Sequence, residues 1–155
     1  MKTAPLQLIK YLIPDVSCSA NRVFDANKEY EFREDLFGVD VSVTPTGTSE
    51  EGEEQDHCWS IEMTLSKKIA DQQNFPYSFS ATIVGYFICG AVPANLTEER
   101  LVRVNGASVL YGVAREVIRH LTSPGPWGEL MIPTLSFYEP AATAKGEPQQ
   151  VAASE

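Results

Sequence analysis

Three stretches in which apolar and polar residues alternate strictly limit this chain more than anything else in it. In the first, Val39, Val41 and Val43 alternate with Asp40, Ser42 and Thr44. In the second, Trp59, Ile61, Met63 and Leu65 alternate with Ser60, Glu62, Thr64 and Ser66. In the third, Tyr77, Phe79, Ala81 and Ile83 alternate with Ser78, Ser80 and Thr82. A period of two is the side-chain period of a strand with one buried and one wetted face. Successive strands with short connections form an antiparallel meander. Pro45, Gly47 and Gly52 mark the turn between the first two strands. The third loses its alternation at Val84-Gly85-Tyr86-Phe87-Ile88-Cys89, which reads as a strand apolar on both faces or bulged at Gly85.

An earlier strand precedes these three. Leu6, Leu8, Leu12, Val16 and Cys18 lie on one parity, and Ile9, Tyr11 and Ile13 on the other, so the pattern predicts a long strand covered on both sides. Pro14 within it predicts an edge position or an irregularity. Residues 21–38 lack alternation and carry Phe24, Tyr30, Phe32, Leu36 and Phe37 among charges; so long a connection in a small domain is often functional.

After the strands the pattern turns helical. Asn95 is the expected cap, with Glu98 and Glu99 in the first turn, where negative charge suits the helix dipole. Gly106 kinks or divides the helix. Val109, Val113, Val117 and Leu121 then repeat at i+4, flanked by Leu110, Ala114 and Ile118, and Thr122-Ser123-Pro124-Gly125-Pro126 ends it. An apolar, proline-punctuated return follows from Trp127 to Tyr138. Residues 140–155 read as a flexible tail, which leaves 1–139 as one domain. The expected fold class is therefore α+β: a four-stranded antiparallel sheet followed by a long helix. One helix covers one sheet face, so the remaining apolar surface must meet a sister subunit, a ligand or both.

Charge and chemistry narrow the function. With 12 Lys+Arg against 21 Asp+Glu, the net charge is −9, which excludes ordinary duplex nucleic-acid binding and docking on anionic lipid. Five of the acids, Glu50, Glu51, Glu53, Glu54 and Asp56, crowd one turn and read as a solvated charge run. No apolar stretch is long enough to insert in a membrane. The first residues do not read as a signal peptide, so the expected location is cytoplasmic. Cys18, Cys58 and Cys89 have no metal or disulfide spacing. His57 reads as solvated and His120 as a residue of the helix C-terminus. His57 and Cys58 are neighbours in a strand, so their side chains diverge and cannot share a metal. No phosphate-binding, dinucleotide, nucleophile-elbow or zinc-protease motif is present; neither catalysis nor a cofactor is expected.

Several stretches together carry a resemblance. Leu110-Tyr111-Gly112-Val113-Ala114-Arg115-Glu116, then Leu121-Thr122-Ser123-Pro124-Gly125, then Leu130-Met131-Ile132-Pro133 and Ser136-Phe137 resemble the SecB protein-export chaperones. Pro14-Asp15-Val16-Ser17 and Gly85-Tyr86-Phe87 add to it, and the element order agrees from about Leu6 to Phe137. The resemblance implies a dimer of dimers acting as an ATP-independent holdase. Such a protein keeps precursor polypeptides unfolded and passes them to the translocase ATPase SecA. It also implies an apolar groove for unfolded polypeptide, here formed by Phe24, Tyr30, Phe32, Leu36 and Phe37 with Trp127, Leu130, Ile132, Leu135 and Tyr138. Of the family's acidic SecA-docking positions Asp15 is retained, whereas Ser19 and Ser80 stand where acids are expected. Leu36 stands in place of a tryptophan, and Pro140 cuts short or abolishes the family's second helix. Two alternatives stay open: a SecB-like chaperone dedicated to one client, such as an antitoxin, without SecA delivery; and a small ligand-binding α+β domain.

Overall fold

The computed structural model describes residues 4–49, 56–70 and 73–138. The acidic turn at 50–55 and the tail from 139 onward lie outside the described residues.

Strands β1 (Leu6–Ala20), β2 (Phe37–Ser49), β3 (Asp56–Lys67) and β4 (Tyr77–Cys89) form one four-stranded sheet in the order β1-β4-β3-β2. All neighbours are antiparallel. A helical stretch follows: α1 (Glu98–Leu101), a π turn (Val102–Gly106) and α2 (Ala107–Thr122). The α+β class and its strand-then-helix order are as expected.

The alternating runs bury one face. Ile61, Met63 and Leu65 of β3 and Phe79, Ala81, Ile83 and Phe87 of β4 are buried with Leu110, Ala114 and Ile118 of α2. The opposite face is open and carries the polar half of each run. Two glycines set the helix close to the sheet. A Cβ on Gly85 would meet Leu110 at 2.6 Å, and one on Gly106 would collide with Ile61. That close approach explains Gly85 without a bulge. Strand β4 alternates along its whole length, and its pairing with β3 has no register shift. The apolar Val84, Tyr86 and Ile88 simply lie on the open face, half-buried.

Pro45 and Gly47 lie within β2 and flank a register shift against β3, and β1 has two shifts, between Leu8 and Lys10 and between Leu12 and Asp15. Each shift in β1 resets which of its parities faces the helix. Leu8, Tyr11 and Val16 pair with Phe87, Gly85 and Ala81, while Leu12 pairs with Val84 on the open face. Pro14 falls in the second irregularity, on an edge strand where its missing N–H costs no ladder bond. The expected cover on both sides of β1 is not supplied by the described residues: Ile9 is 58% exposed and Leu12 52%.

The helix also begins later than expected. Leu96 N–H donates to Pro93 O, which holds Asn95 in a turn. Thr97 is the cap, in an extended conformation, and its hydroxyl accepts from the Arg100 N–H. Gly106 does divide the helix, as the last residue of the π turn. A π turn accommodates one extra residue in the helical repeat, and here it keeps both Val102 and Gly106 buried against the sheet.

Two hydroxyls fasten the return segment. Tyr77 Oη donates to Gly128 O at 2.9 Å and accepts from the Trp127 N–H at 3.1 Å. Thr122 Oγ1 donates to Ile118 O and accepts from the Leu130 N–H, both at 2.8 Å. The Tyr77 bonds are partly buried, and a net hydrogen bond of this kind is worth about 0.5–1.5 kcal/mol. Tyr77→Phe should therefore lower unfolding stability by that amount, measured as a lower urea midpoint at unchanged m-value.

Candidate functional site

β1 and β2 occupy opposite edges, so residues 21–36 must cross the ends of β4 and β3. The crossing is tied to the β3–β4 connection. Asn21 N–H donates to Pro76 O at 2.8 Å, and its side-chain amide donates to Phe75 O at 2.9 Å. Asn74 Oδ1 accepts from the Asp25 N–H at 2.8 Å, and Asn74 Nδ2 donates to Asp25 O and Lys28 O. At the far end a short 3-10 turn, Glu34–Leu36, leads directly into β2. Phe37 is thus the first residue of a strand, not part of the connection.

The aromatic residues of the crossing form one connected series with rings from elsewhere. Trp127 packs on Phe24 at 5.3 Å between centroids, and Phe24 on Tyr30 at 5.8 Å. Tyr30 and Phe32 both meet Phe75, at 5.2 and 4.9 Å. Phe32 continues to Phe37 at 5.7 Å, and Phe37 to Phe79 at 6.4 Å. All these contacts are edge-to-face, the arrangement favoured by the ring quadrupoles. Phe75 is fully buried beneath the series, Tyr30 is 42% exposed, and Phe24, Phe32 and Trp127 are half-buried. Trp127 Nε1 donates to Asn21 O at 2.9 Å, which ties the return segment to the crossing.

A lysine lies under this seam. Register places Lys67 between Phe37 and Phe79, and its side chain is buried. Its ammonium donates to Lys68 O and Gln73 Oε1 and sits 4.6 Å from the centre of the Phe75 ring. Burial pushes the Lys67 pKa below the usual lysine range; Asp35 works against that shift and Arg33 adds to it.

The structure thus brings Phe24, Tyr30, Phe32, Phe37 and Trp127 together. Leu36 is half-buried at the exit of the crossing. Leu130 and Ile132 sit in the core, 1% and 2% exposed, while Leu135 and Tyr138 face solvent farther along the return, Tyr138 beside Arg100. Phe75, Asn74 and Lys67 belong to the site and were not singled out from sequence. A lone phenylalanine before a proline and an asparagine in a loop carry no periodic signal.

Two other surfaces stand out. Tyr11 of β1 and Val109, Val113, Val117 and Leu121 of α2 line an open, mostly apolar hollow of about 650 Å³, with Glu116 and His120 at its rim. On the open sheet face, Ser17, Ser19, Thr64, Ser66, Ser78 and Ser80 gather in a shallow hollow of about 430 Å³. Asp15 lies just beyond it, opposite Thr82. His57 is not simply solvated: its Nδ1 lies 2.6 Å from Glu98 Oε2, and Trp59 Nε1 donates to Glu98 Oε1, so α1 is tied to β3. No group of His, Cys, Asp and Glu among the described residues can hold a metal ion. No helix among them is long and apolar enough to cross a membrane.

No family profile and no curated protein matches the sequence. Among solved structures, the chain is similar to a protein of unknown function from Streptococcus agalactiae. The TM-score is 0.55 and the identity 10%, over 83% of this chain and 96% of that one, a likeness of fold. Also found is the Mycobacterium tuberculosis Rv1957 SecB-like chaperone in complex with a ChAD peptide from the Rv1956 HigA1 antitoxin. Its TM-score is 0.48 and its identity 16%, over 85% of this chain and 91% of that one.

Phe75 is the ring on which both Tyr30 and Phe32 rest. Phe→Ala at a buried site costs about 3–5 kcal/mol. Phe75→Ala should lose that much stability in chemical denaturation, and proteolysis should then cut first within 21–36.

Proposed function

We propose that this chain is a SecB-like, ATP-independent chaperone that holds unfolded polypeptide on its aromatic seam. The observation that carries the reading is the seam itself: rings joined edge to face from Trp127 to Phe79, several of them partly open to solvent. Rigid rings offer large contact area at low rotamer cost and read no particular sequence, which suits a binder of many unfolded segments. Leu135 and Tyr138 extend the apolar surface along the return. The sequence resemblance to the SecB chaperones points the same way. Delivery to SecA is not part of the reading, because the open face around Asp15 presents hydroxyls where that docking calls for acids. The reading includes no catalysis, no cofactor and no nucleic acid.

The test is suppression of aggregation. The full chain, without nucleotide, should delay aggregation of several unrelated unfolded proteins at stoichiometric ratio, followed by light scattering. Leu135→Asp combined with Tyr138→Asp, both at exposed positions, should abolish most of the delay while leaving the circular dichroism unchanged. Protection confined to one client would turn the reading toward a dedicated chaperone. No protection of any client would defeat it.

Self-association belongs to the same proposal. The exposed apolar side chains of β1 and the Val109–Leu121 stripe are surfaces of the kind that sister subunits cover, and we assign them to a dimer of dimers. Light scattering should give a mass near four chains. Val109→Asp with Leu121→Asp, both solvent-facing in one chain, should lower that mass without unfolding it.

A further inference from the structure

We propose that residues 21–36 form a displaceable strap that occupies the aromatic seat in the absence of client, and that Asn74 is the clip holding it shut. This deepens, and rests on, the polypeptide-binding reading above.

The strap has no strand neighbour. Its central polar hold on the rest of the molecule is one side chain: Asn74 accepts from the Asp25 N–H at 2.8 Å and donates to Asp25 O at 3.1 Å and Lys28 O at 3.3 Å. An amide side chain that both gives to and takes from the backbone of one residue imitates a neighbouring strand. It is the type of contact that an incoming extended peptide makes and breaks. The strap's ion pairs, Lys28 with Asp25 at 3.6 Å and Arg33 with Asp35 at 2.7 Å, are internal and travel with it. Its rings, Phe24, Tyr30 and Phe32, reach the rest of the protein by edge contacts to Trp127, Phe75 and Phe37. Its two ends are fixed, Asn21 to Pro76 O and Leu36 O to the Lys68 N–H, so the middle can lift while the ends hold.

Lifting the strap uncovers Phe75, which is fully buried while the strap is down. Without client that exposure is unfavourable and the strap stays closed. An apolar segment of client repeats the same contacts on Phe75, Phe37 and Trp127 and takes over the seat. The apparent affinity for client is then the intrinsic affinity reduced by the fraction of open strap.

The experiment pairs hydrogen exchange with affinity, on the full chain, using reduced carboxymethylated α-lactalbumin as a permanently unfolded probe. On binding, amides of 22–33 should exchange faster while those of 77–89 do not. Asn74→Ala, with its fold checked by circular dichroism, should bind the probe about fivefold tighter, the effect of removing roughly one net hydrogen bond from the closed state. Slower exchange across 22–36 in the bound state, or unchanged or weaker binding by Asn74→Ala, overturns the strap and leaves the polypeptide-binding reading standing. Absence of probe binding by the wild-type chain removes that reading and the strap together. If Asn74→Ala does not fold, the exchange result on the wild-type chain decides.

Discussion

β1 and β2 are joined in sequence but lie at opposite edges of the sheet. The chain between them therefore cannot be a hairpin turn; it must cross the ends of β4 and β3. That crossing lays Phe24, Tyr30 and Phe32 over the β3–β4 connection, where Phe75 sits, and beside the return segment, where Trp127 sits. The same crossing explains the density of side chain to backbone hydrogen bonds there. An irregular segment has no ladder to satisfy its peptide groups, so Asn21, Asn74 and Trp127 supply partners.

The second constraint is that one sheet face is covered by one helix. Gly85 and Gly106 let α2 approach closely, and the π turn absorbs a residue so that Val102 and Gly106 both point to the sheet. Glu98, held by His57 and Trp59, fixes the start of this arrangement, and Tyr77 and Thr122 fix its end. Nothing in the chain's described residues covers the apolar stripe of β1 or the Val109–Leu121 face of α2. The molecule is well packed on one side and unfinished on the other, which is the physical basis for assigning those faces to sister subunits.

Much of the fold was legible beforehand, for a specific reason. β3, β4 and the Val39–Thr44 part of β2 keep a strict period of two because each has one buried face, so Val39, Ile61 and Phe79 could be placed on the core side from the sequence pattern. β1 defeated that logic. Its two register shifts exchange the faces partway along, and a pattern read with one parity mixes Leu12 with Leu8 although they lie on opposite sides. Gly85 was misleading for a related reason, since a glycine forced by close helix approach looks in sequence like one forced by a bulge. The cap moved from Asn95 to Thr97 because the Pro93–Leu96 turn claimed Asn95 first. At the candidate site the aromatic residues of the crossing were visible from composition, but Phe75, Lys67 and Asn74 were not.

By itself the sequence determined the element types, their order and the excess of apolar surface over what one helix can cover. Those follow from side-chain periodicity and from counting faces, which are local properties. Tertiary structure alone decided that Phe75 lies buried under Tyr30 and Phe32, that Asn74 grips Asp25, and that His57 meets Glu98. These pairs are 41 to 49 residues apart or depend on such a pair. They come together only because the strand order carries the chain from one edge of the sheet to the other.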